Sequence, residues 1–190
     1  MKYLKYIVIA IAVVWGMFVY WERTAVVIPA EPAPAAAGRP VAVIPAGPRY
    51  GVGVLPDAKL TPEATNPDIT QANISQNICN TKWSTSSIRP SSSYTTKLKI
   101  SQLANGYAVN GDTATADYEE DHLISLELGG NPTDPANLWP ESYKTTPNAK
   151  DKDTVENWLH KQVCSGAMTL AEAQREIATN WYAVYQQMKQ

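Results

Sequence analysis

The stretch that decides the fold is EEDHLISLELGGNP, residues 119–132, followed by NLWPE, residues 137–141. The apolar run at 123–128 is compatible with a strand that has Asp121-His122 at its start. Gly129-Gly130 then signals a turn, and a second short apolar segment follows. We therefore predict a hairpin with a wide loop. Because a helical pattern begins near residue 148, the expected unit is ββα.

Two helices are predicted in the C-terminal third. Asn148 can cap the first helix, and Gly166 lies just past its end, where a left-handed residue is favoured. Thr169 and Glu172 match the capping box that opens a helix. Apolar residues at helical spacing define the two buried faces: Val155, Trp158, Leu159 and Val163, and then Leu170, Ala173, Ile177, Trp181, Tyr185 and Met188.

The patterns upstream of the hairpin are weaker. A helix is predicted over residues 94–104, where Asn105-Gly106 would end it, and a short helix is expected around residues 70–79. The fold class expected for residues 55–190 is α+β, a mostly helical domain around the hairpin–helix unit.

An N-terminal transmembrane helix is predicted. Residues 6–21 carry no charge and are preceded by lysines, and residues 3–21 are long enough to span a bilayer. We expect a signal anchor over residues 1–25 in the inner membrane, with the domain on the periplasmic, extracytoplasmic side. The alternative is a signal peptide, whose cleavage after residues 1–37 would give a secreted protein. Both interpretations export the domain.

Composition separates the anchor from the domain and restricts the partners of the domain. Residues 26–54 are rich in Pro, Ala and Gly, which predicts a semi-extended linker. From Leu55 onward, 11 Lys and Arg stand against 16 Asp and Glu, a net charge of −5. Proteins that bind nucleic acid tightly through its phosphates usually have the opposite sign. The charge argues less against a hydrolase, since a divalent cation neutralises acidic ligands around it.

The two cysteines, Cys79 and Cys164, are too few and too far apart in sequence for a zinc cluster. In an exported protein such a pair indicates a disulfide, which is the prediction here. Two buried free thiols are the alternative.

The chain has only two histidines, and one of them, His122, directly follows Asp121. Phosphodiester hydrolysis needs an activated water and a cation held by ligands near the phosphate. An imidazole can take the proton of the water near neutral pH, and a carboxylate oxygen suits Mg²⁺. Because neighbouring residues on a strand point to opposite faces, Asp121 and His122 are expected to do different jobs.

Asp121-His122, Gly129-Gly130 and Asn137-Leu138 together resemble the HNH endonuclease motif of the ββα-metal superfamily. Residues 118–181 are still more similar to small exported bacterial HNH-like proteins. The runs that carry this similarity are EEDHLISLELGGNP, NLWPE, NAKDKD, ENWLH and VCSG. With weaker matches upstream, the resemblance covers about two thirds of the chain.

The resemblance implies roles for four residues. His122 would be the general base, Asn137 the residue that braces the hairpin, and Asp121 a metal ligand. No histidine stands nine or ten residues after Asn137, where many HNH enzymes have a helical ligand, so Asn148 is the nearest candidate. Oxygen donors of this kind favour Mg²⁺, with Mn²⁺ or Zn²⁺ as further possibilities. Asn148 can equally act only as the helix cap.

The remaining polar residues are weaker candidates. Lys152 and Arg89 could contact a substrate phosphate, but Lys152 could equally solvate its helix and Arg89 could form a structural salt bridge. Glu119 and Glu120 could join the metal site or be solvated, and His160 is expected to pack or to lie at the surface. The function expected is metal-dependent cleavage of DNA or RNA outside the cytoplasm. The alternatives are a catalytically inactive envelope domain and a hydrolase of another phosphodiester.

Overall fold

The structure is a computed structural model, which describes residues 53–190 of the chain. The predicted anchor over residues 1–25 and nearly all of the predicted linker lie outside the described residues. Within residues 53–190, no helix has both the length and the apolar character needed to cross a membrane.

The regular elements of residues 53–190 are three α-helices and a two-stranded antiparallel sheet, joined by short 3₁₀ turns. In chain order they are α1 (Ser92–Gln102), β1 (Tyr118–His122), β2 (Leu138–Ser142), α2 (Ala149–Cys164) and α3 (Leu170–Met188). The described part therefore has the predicted α+β character, with a strand–strand–helix succession from β1 to α2.

The first strand lies earlier than the sequence predicted. β1 ends at His122, and residues Leu126–Leu128 form a 3₁₀ turn in place of a strand. The leucines of this turn are buried against the two C-terminal helices, so helix packing, and not a sheet ladder, accounts for their apolar character. Asp121 and His122 consequently stand at the end of the strand.

The predicted helix signals of the C-terminal third are confirmed. Asn148 caps α2 and forms a capping box with Asp151, and Thr169 and Glu172 do the same for α3. Gly166 has the left-handed φ of +76° that the end of α2 requires.

The upstream elements are partly as predicted. α1 begins two residues before the predicted start and is followed by a π-helical turn, in which Asn105 and Gly106 leave the helical conformation. In place of the expected helix around residues 70–79, the structure has only a 3₁₀ turn at Ile74–Gln76.

The hydrophobic core lies between α2, α3 and the loop after β1. Val155, Leu159, Ile177 and Trp181 are fully buried in it. Cys79 and Cys164 form the predicted disulfide, with their Cα atoms 5.3 Å apart, which ties the upstream loop to the end of α2. The two C-terminal helices pack on each other and on the turn after β1, whereas α1 packs on both strands of the hairpin.

Candidate functional site

The register of the hairpin separates Asp121 from His122. Asp121 pairs with Trp139 and His122 with Leu138, and side chains on paired residues share a face while neighbours along a strand alternate. Lys152 of α2 contacts Asp121 on one face. Gln102 of α1 donates to the carbonyl of Leu138, the residue paired with His122, at 2.7 Å. The two residues therefore have different surroundings, as the sequence predicted.

The His122 ring is held by one hydrogen bond. Its residue is 3% exposed, and Nε2 lies 3.0 Å from the Pro132 carbonyl oxygen. A carbonyl only accepts, so Nε2 carries the hydrogen and the neutral ring has its lone pair on Nδ1. Within residues 53–190, Nδ1 has no hydrogen-bond partner and is not among the unpartnered atoms that are fully buried. Nδ1 is therefore free of protein partners in an almost completely buried ring.

Several groups act on the charge of His122. Burial lowers the pKa of the imidazole below its usual value, although the nearby Asp121 carboxylate opposes this effect. Arg89 lies close enough to lower it further. The ring is therefore neutral at neutral pH. The exposed Arg89 side chain makes no hydrogen bond or ion pair to any other residue of the described range.

Asn137 braces the loop that carries Pro132. Its Oδ1 accepts from the Ile124 N–H at 2.9 Å, and its Nδ2 donates to the carbonyls of Ile124 at 3.0 Å and Asn131 at 3.1 Å. Asn137 is completely buried. A Cβ on Gly130 would lie 1.8 Å from the Ile124 carbonyl oxygen, so only glycine fits there. The structure thus gives Asn137 contacts that suit the bracing role.

Lys152 occupies the space beside Asp121. Its Nζ donates to Asp121 Oδ2 at 2.6 Å, to the His122 carbonyl at 2.8 Å and to Glu156 through a short hydrogen bond. Its side chain is 0% exposed. Because its ammonium is completely buried, Lys152 cannot contact a substrate phosphate in this structure. It instead positions the end of β1.

Three carboxyl groups, those of Asp121, Glu156 and Glu141, act on the charge of this ammonium. The charge of Lys152 overcomes the effect of burial and lowers the pKa of Asp121. Burial and the nearby Asp121 raise the pKa of Glu141 well above its usual range, and burial raises that of Glu156 to about 8. A protonated Glu141 can donate to Asp121. The ion pair at neutral pH is therefore chiefly between Asp121 and Lys152.

The predicted metal ligands are both occupied by protein groups. Asn148 Oδ1 accepts from the Lys150 N–H at 3.0 Å, as a helix cap does. Asp121 is paired with the Lys152 ammonium. No group of three or more His, Cys, Asp or Glu ligands converges around Asp121 in residues 53–190. The residues around Asp121 and Asn148 therefore do not fit a tightly held divalent ion.

A second set of potential ligands lies elsewhere, where Cys79, His160 and Cys164 approach within 4.8 Å of one another. The two sulfur atoms are already joined in the disulfide. His160 packs against the same region, with Nε2 2.7 Å from the Ile78 carbonyl and Nδ1 3.7 Å from Glu127. In this oxidised form the group offers one imidazole, and His160 has the packing role expected of it.

The two glutamates before Asp121 have separate surroundings. Glu119 accepts from the Tyr143 hydroxyl at 2.9 Å. Both carboxyl oxygens of Glu120 are buried without a partner in the described residues, and burial raises its pKa to about 8. Neither joins a set of converging ligands.

Sequence reasoning missed the buried acidic groups and the place of Lys152. One signal was available: Lys152 precedes Val155 by three residues and Leu159 by seven, so it continues the buried stripe of α2. A lysine on that stripe requires buried acceptors. The strand residue Asp121 and Glu156, one turn further along α2, provide them.

No protein-family model, curated protein or solved structure matches this chain. The interpretation of the site therefore depends on its own geometry and on the motifs of the sequence.

Proposed function

We propose that residues 55–190 form a phosphodiester hydrolase, a nuclease that acts on DNA or RNA outside the cytoplasm. The observation that carries the proposal is the His122 ring, which is neutral, fixed through Nε2 and free of protein partners at Nδ1. Fixed orientation together with an unprotonated nitrogen is what a general base requires.

In the proposed reaction, a water molecule attacks the phosphorus atom of the substrate. Nδ1 of His122 takes a proton from that water while the new oxygen–phosphorus bond forms, and the bond to the leaving oxygen breaks. The Pro132 carbonyl keeps the ring in place as it becomes charged. Solvent returns a proton to the leaving oxygen. Arg89, which lies near His122 and lacks an ion-pair partner in residues 53–190, is the residue we assign to the phosphate.

The route to Nδ1 is narrow, because His122 is 3% exposed. The resemblance to HNH enzymes leads us to expect a divalent ion, Mg²⁺, and the assay below tests whether one is needed. The proposed reaction proceeds without it, since Asp121 and Asn148 are already engaged.

The second candidate is a catalytically inactive envelope domain that keeps the ββα scaffold. Two observations favour it: the burial of His122 and the ion pair that neutralises Asp121. The acidic surface from Leu55 onward is compatible with it as well.

A cleavage assay separates the two candidates. The full-length chain, purified in detergent, is incubated with plasmid DNA, single-stranded DNA, RNA or a small synthetic phosphodiester, each with Mg²⁺, Mn²⁺ or EDTA. We expect cleavage by the wild type and a fall of roughly 100-fold or more in His122→Ala. His160→Ala, which changes the other histidine, is the control and should retain most of the rate. Turnover of only the synthetic substrate would point to a different phosphodiester.

Two results would remove the nuclease proposal and leave the inactive domain. One is the absence of cleavage of every substrate under all three conditions. The other is cleavage that His122→Ala leaves unchanged.

Export is a separate part of the proposal, and N-terminal sequencing of protein from membrane fractions tests it. We expect the mature chain to begin at or near Met1 and to sediment with the membrane, as a signal anchor requires. A mature N-terminus near Ala37 in a soluble extracytoplasmic fraction would contradict the anchor and support the cleaved signal peptide.

A further inference from the structure

The strongest unexplained feature of the hairpin–helix unit is an ammonium group where the sequence predicted a metal ion. Lys152 Nζ has three hydrogen atoms to donate, and it makes three hydrogen bonds, to Asp121, Glu156 and the His122 carbonyl. Two of its acceptors belong to the end of β1 and one to α2. The coordination of the ammonium is therefore complete.

The surroundings of Lys152 are closed and acidic. Its side chain is 0% exposed, while those of Asp121 and Glu156 are 15% and 14% exposed. Glu141, 1% exposed, comes from β2, and neither of its oxygens receives a donor from an N–H group within residues 53–190. Asp121 and Glu156 thus bond the cation directly, and Glu141 acts on its charge from farther away. A buried space with acidic groups around it favours a positive charge.

We propose that the Lys152 ammonium is the resident cation of this site, and that it keeps divalent metal ions off Asp121. The inference concerns the same hairpin–helix unit as the proposed function but does not depend on hydrolysis. If hydrolysis needs an ion, that ion enters with the substrate phosphate and is not held by Asp121. Lys152 is then a positioning residue, which fixes the carbonyl of His122 and orders the strand end without metal.

Metal binding by the wild-type chain is the first test. Full-length protein in detergent is titrated with Mn²⁺, and free Mn²⁺ is followed by electron paramagnetic resonance. We expect no stoichiometric binding, and the same Tm in EDTA as in millimolar Mn²⁺. One bound Mn²⁺ per chain that Asp121→Asn abolishes would overturn the proposal.

The second test removes the ammonium. Lys152→Ala leaves buried carboxylates without their partner, so Tm should fall by roughly 10–20 °C. Because the carboxylates then face an open space, the variant should gain Mn²⁺ binding that the wild type lacks, and adding Asp121→Asn should remove it. Lys150→Ala, an exposed lysine on the same helix, is the control and should change neither readout.

A folded Lys152→Ala protein that gains no Mn²⁺ binding would also overturn the proposal, since the ammonium would not be what excludes the ion. If Lys152→Ala does not fold, the wild-type titration with Asp121→Asn still decides. None of these readouts measures hydrolysis, so a failed cleavage assay leaves this inference standing, and metal binding through Asp121 leaves the nuclease proposal standing.

Discussion

His122 and Glu120 lie two residues apart on β1, and burial acts on their charges in opposite directions. Burial disfavours a charged side chain, so it lowers the pKa of the imidazole and raises that of the carboxyl group to about 8. Both groups are therefore chiefly neutral at pH 7. This end of the hairpin consequently carries less charge than its sequence suggests, and the charges that act on these two groups include those of Lys99, Asp121, Arg89 and Lys152.

The lowered pKa of His122 has a consequence for activity. If His122 is the base, kcat/KM should stay constant as the pH is reduced to about 6.5, the usual imidazole pKa, and should fall only at lower pH. Arg89→Ala removes a charge that lowers this pKa, so the acid limb should move to higher pH, and KM should rise if Arg89 contacts phosphate. Lys97→Ala, an exposed lysine of α1, is the control. An acid limb that Arg89→Ala leaves in place would contradict the assignment.

Glu120 should make stability depend on pH. Its pKa is raised on folding, so the folded state holds a proton that the unfolded chain releases between about pH 4.5 and 8. The stabilisation is complete below that range and is lost as the pH rises, by at most about 1.4 kcal/mol per pH unit for one proton. Glu120→Gln cannot titrate, and its urea-unfolding free energy should vary less between pH 5 and 8. An unchanged pH slope would contradict the buried, protonated carboxyl group.

At the scale of elements, the loop between the two strands depends on Asn137 and Gly130. The loop has few ladder hydrogen bonds of its own, and the Asn137 side chain supplies three bonds to its backbone. The same loop presents the Pro132 carbonyl to His122. Its shape therefore affects both the stability of the hairpin and the orientation of the imidazole.

Asn137→Ala should destabilise the domain by roughly 2–4 kcal/mol, because it leaves buried backbone groups of Ile124 and Asn131 without partners. The measurement is the urea-unfolding free energy. Asn157→Ala, an exposed asparagine on α2 whose side chain bonds within its own helix, is the matched control and should change stability by less than about 0.5 kcal/mol. Equal effects of the two substitutions would show that Asn137 is not a brace.

The helices could be predicted from the sequence, whereas the first strand could not be placed correctly. Caps and apolar spacing are local signals, and α2 and α3 have both. β1 is a polar segment, YEEDH, whose two end residues are buried in the fold, and single-sequence periodicity contains no information about such packing. The leucines after it were mistaken for a strand for the same reason.

The candidate site was likewise predictable only in part. His122, Asp121 and Asn137 could be proposed because they stand in a short motif. The surroundings of Asp121 depend on Lys152, thirty-one residues away. A lysine is usually solvent-exposed, so composition alone argues against a buried ammonium, and only its place on the stripe of α2 indicated one.

For the molecule as a whole, the disulfide provides the longest covalent constraint among the described residues. It joins residues 85 apart in sequence and attaches the irregular segment before α1 to the end of α2. That segment has little regular structure of its own, so its position depends on this link and on the core residues Ile69 and Ile78.

Replacing both cysteines by alanine should lower the unfolding free energy by about 4–5 kcal/mol, because the unfolded chain is no longer closed into a loop. Urea unfolding of the oxidised wild type and of Cys79→Ala/Cys164→Ala measures this difference. Wild type treated with a reductant should resemble the double variant. Equal stability of oxidised and reduced wild type would contradict a structural role for the bond.

The buried start of the described chain has a practical consequence for protein production. Val54 is 2% exposed, and its carbonyl accepts the indole N–H of Trp181 at 2.9 Å. A truncated protein that begins at Leu55 would lack the carbonyl that accepts the indole N–H of Trp181, and its core would be open to water. Soluble fragments for crystallisation should therefore start several residues before Val54, and Trp181 fluorescence offers a simple quality check on each fragment.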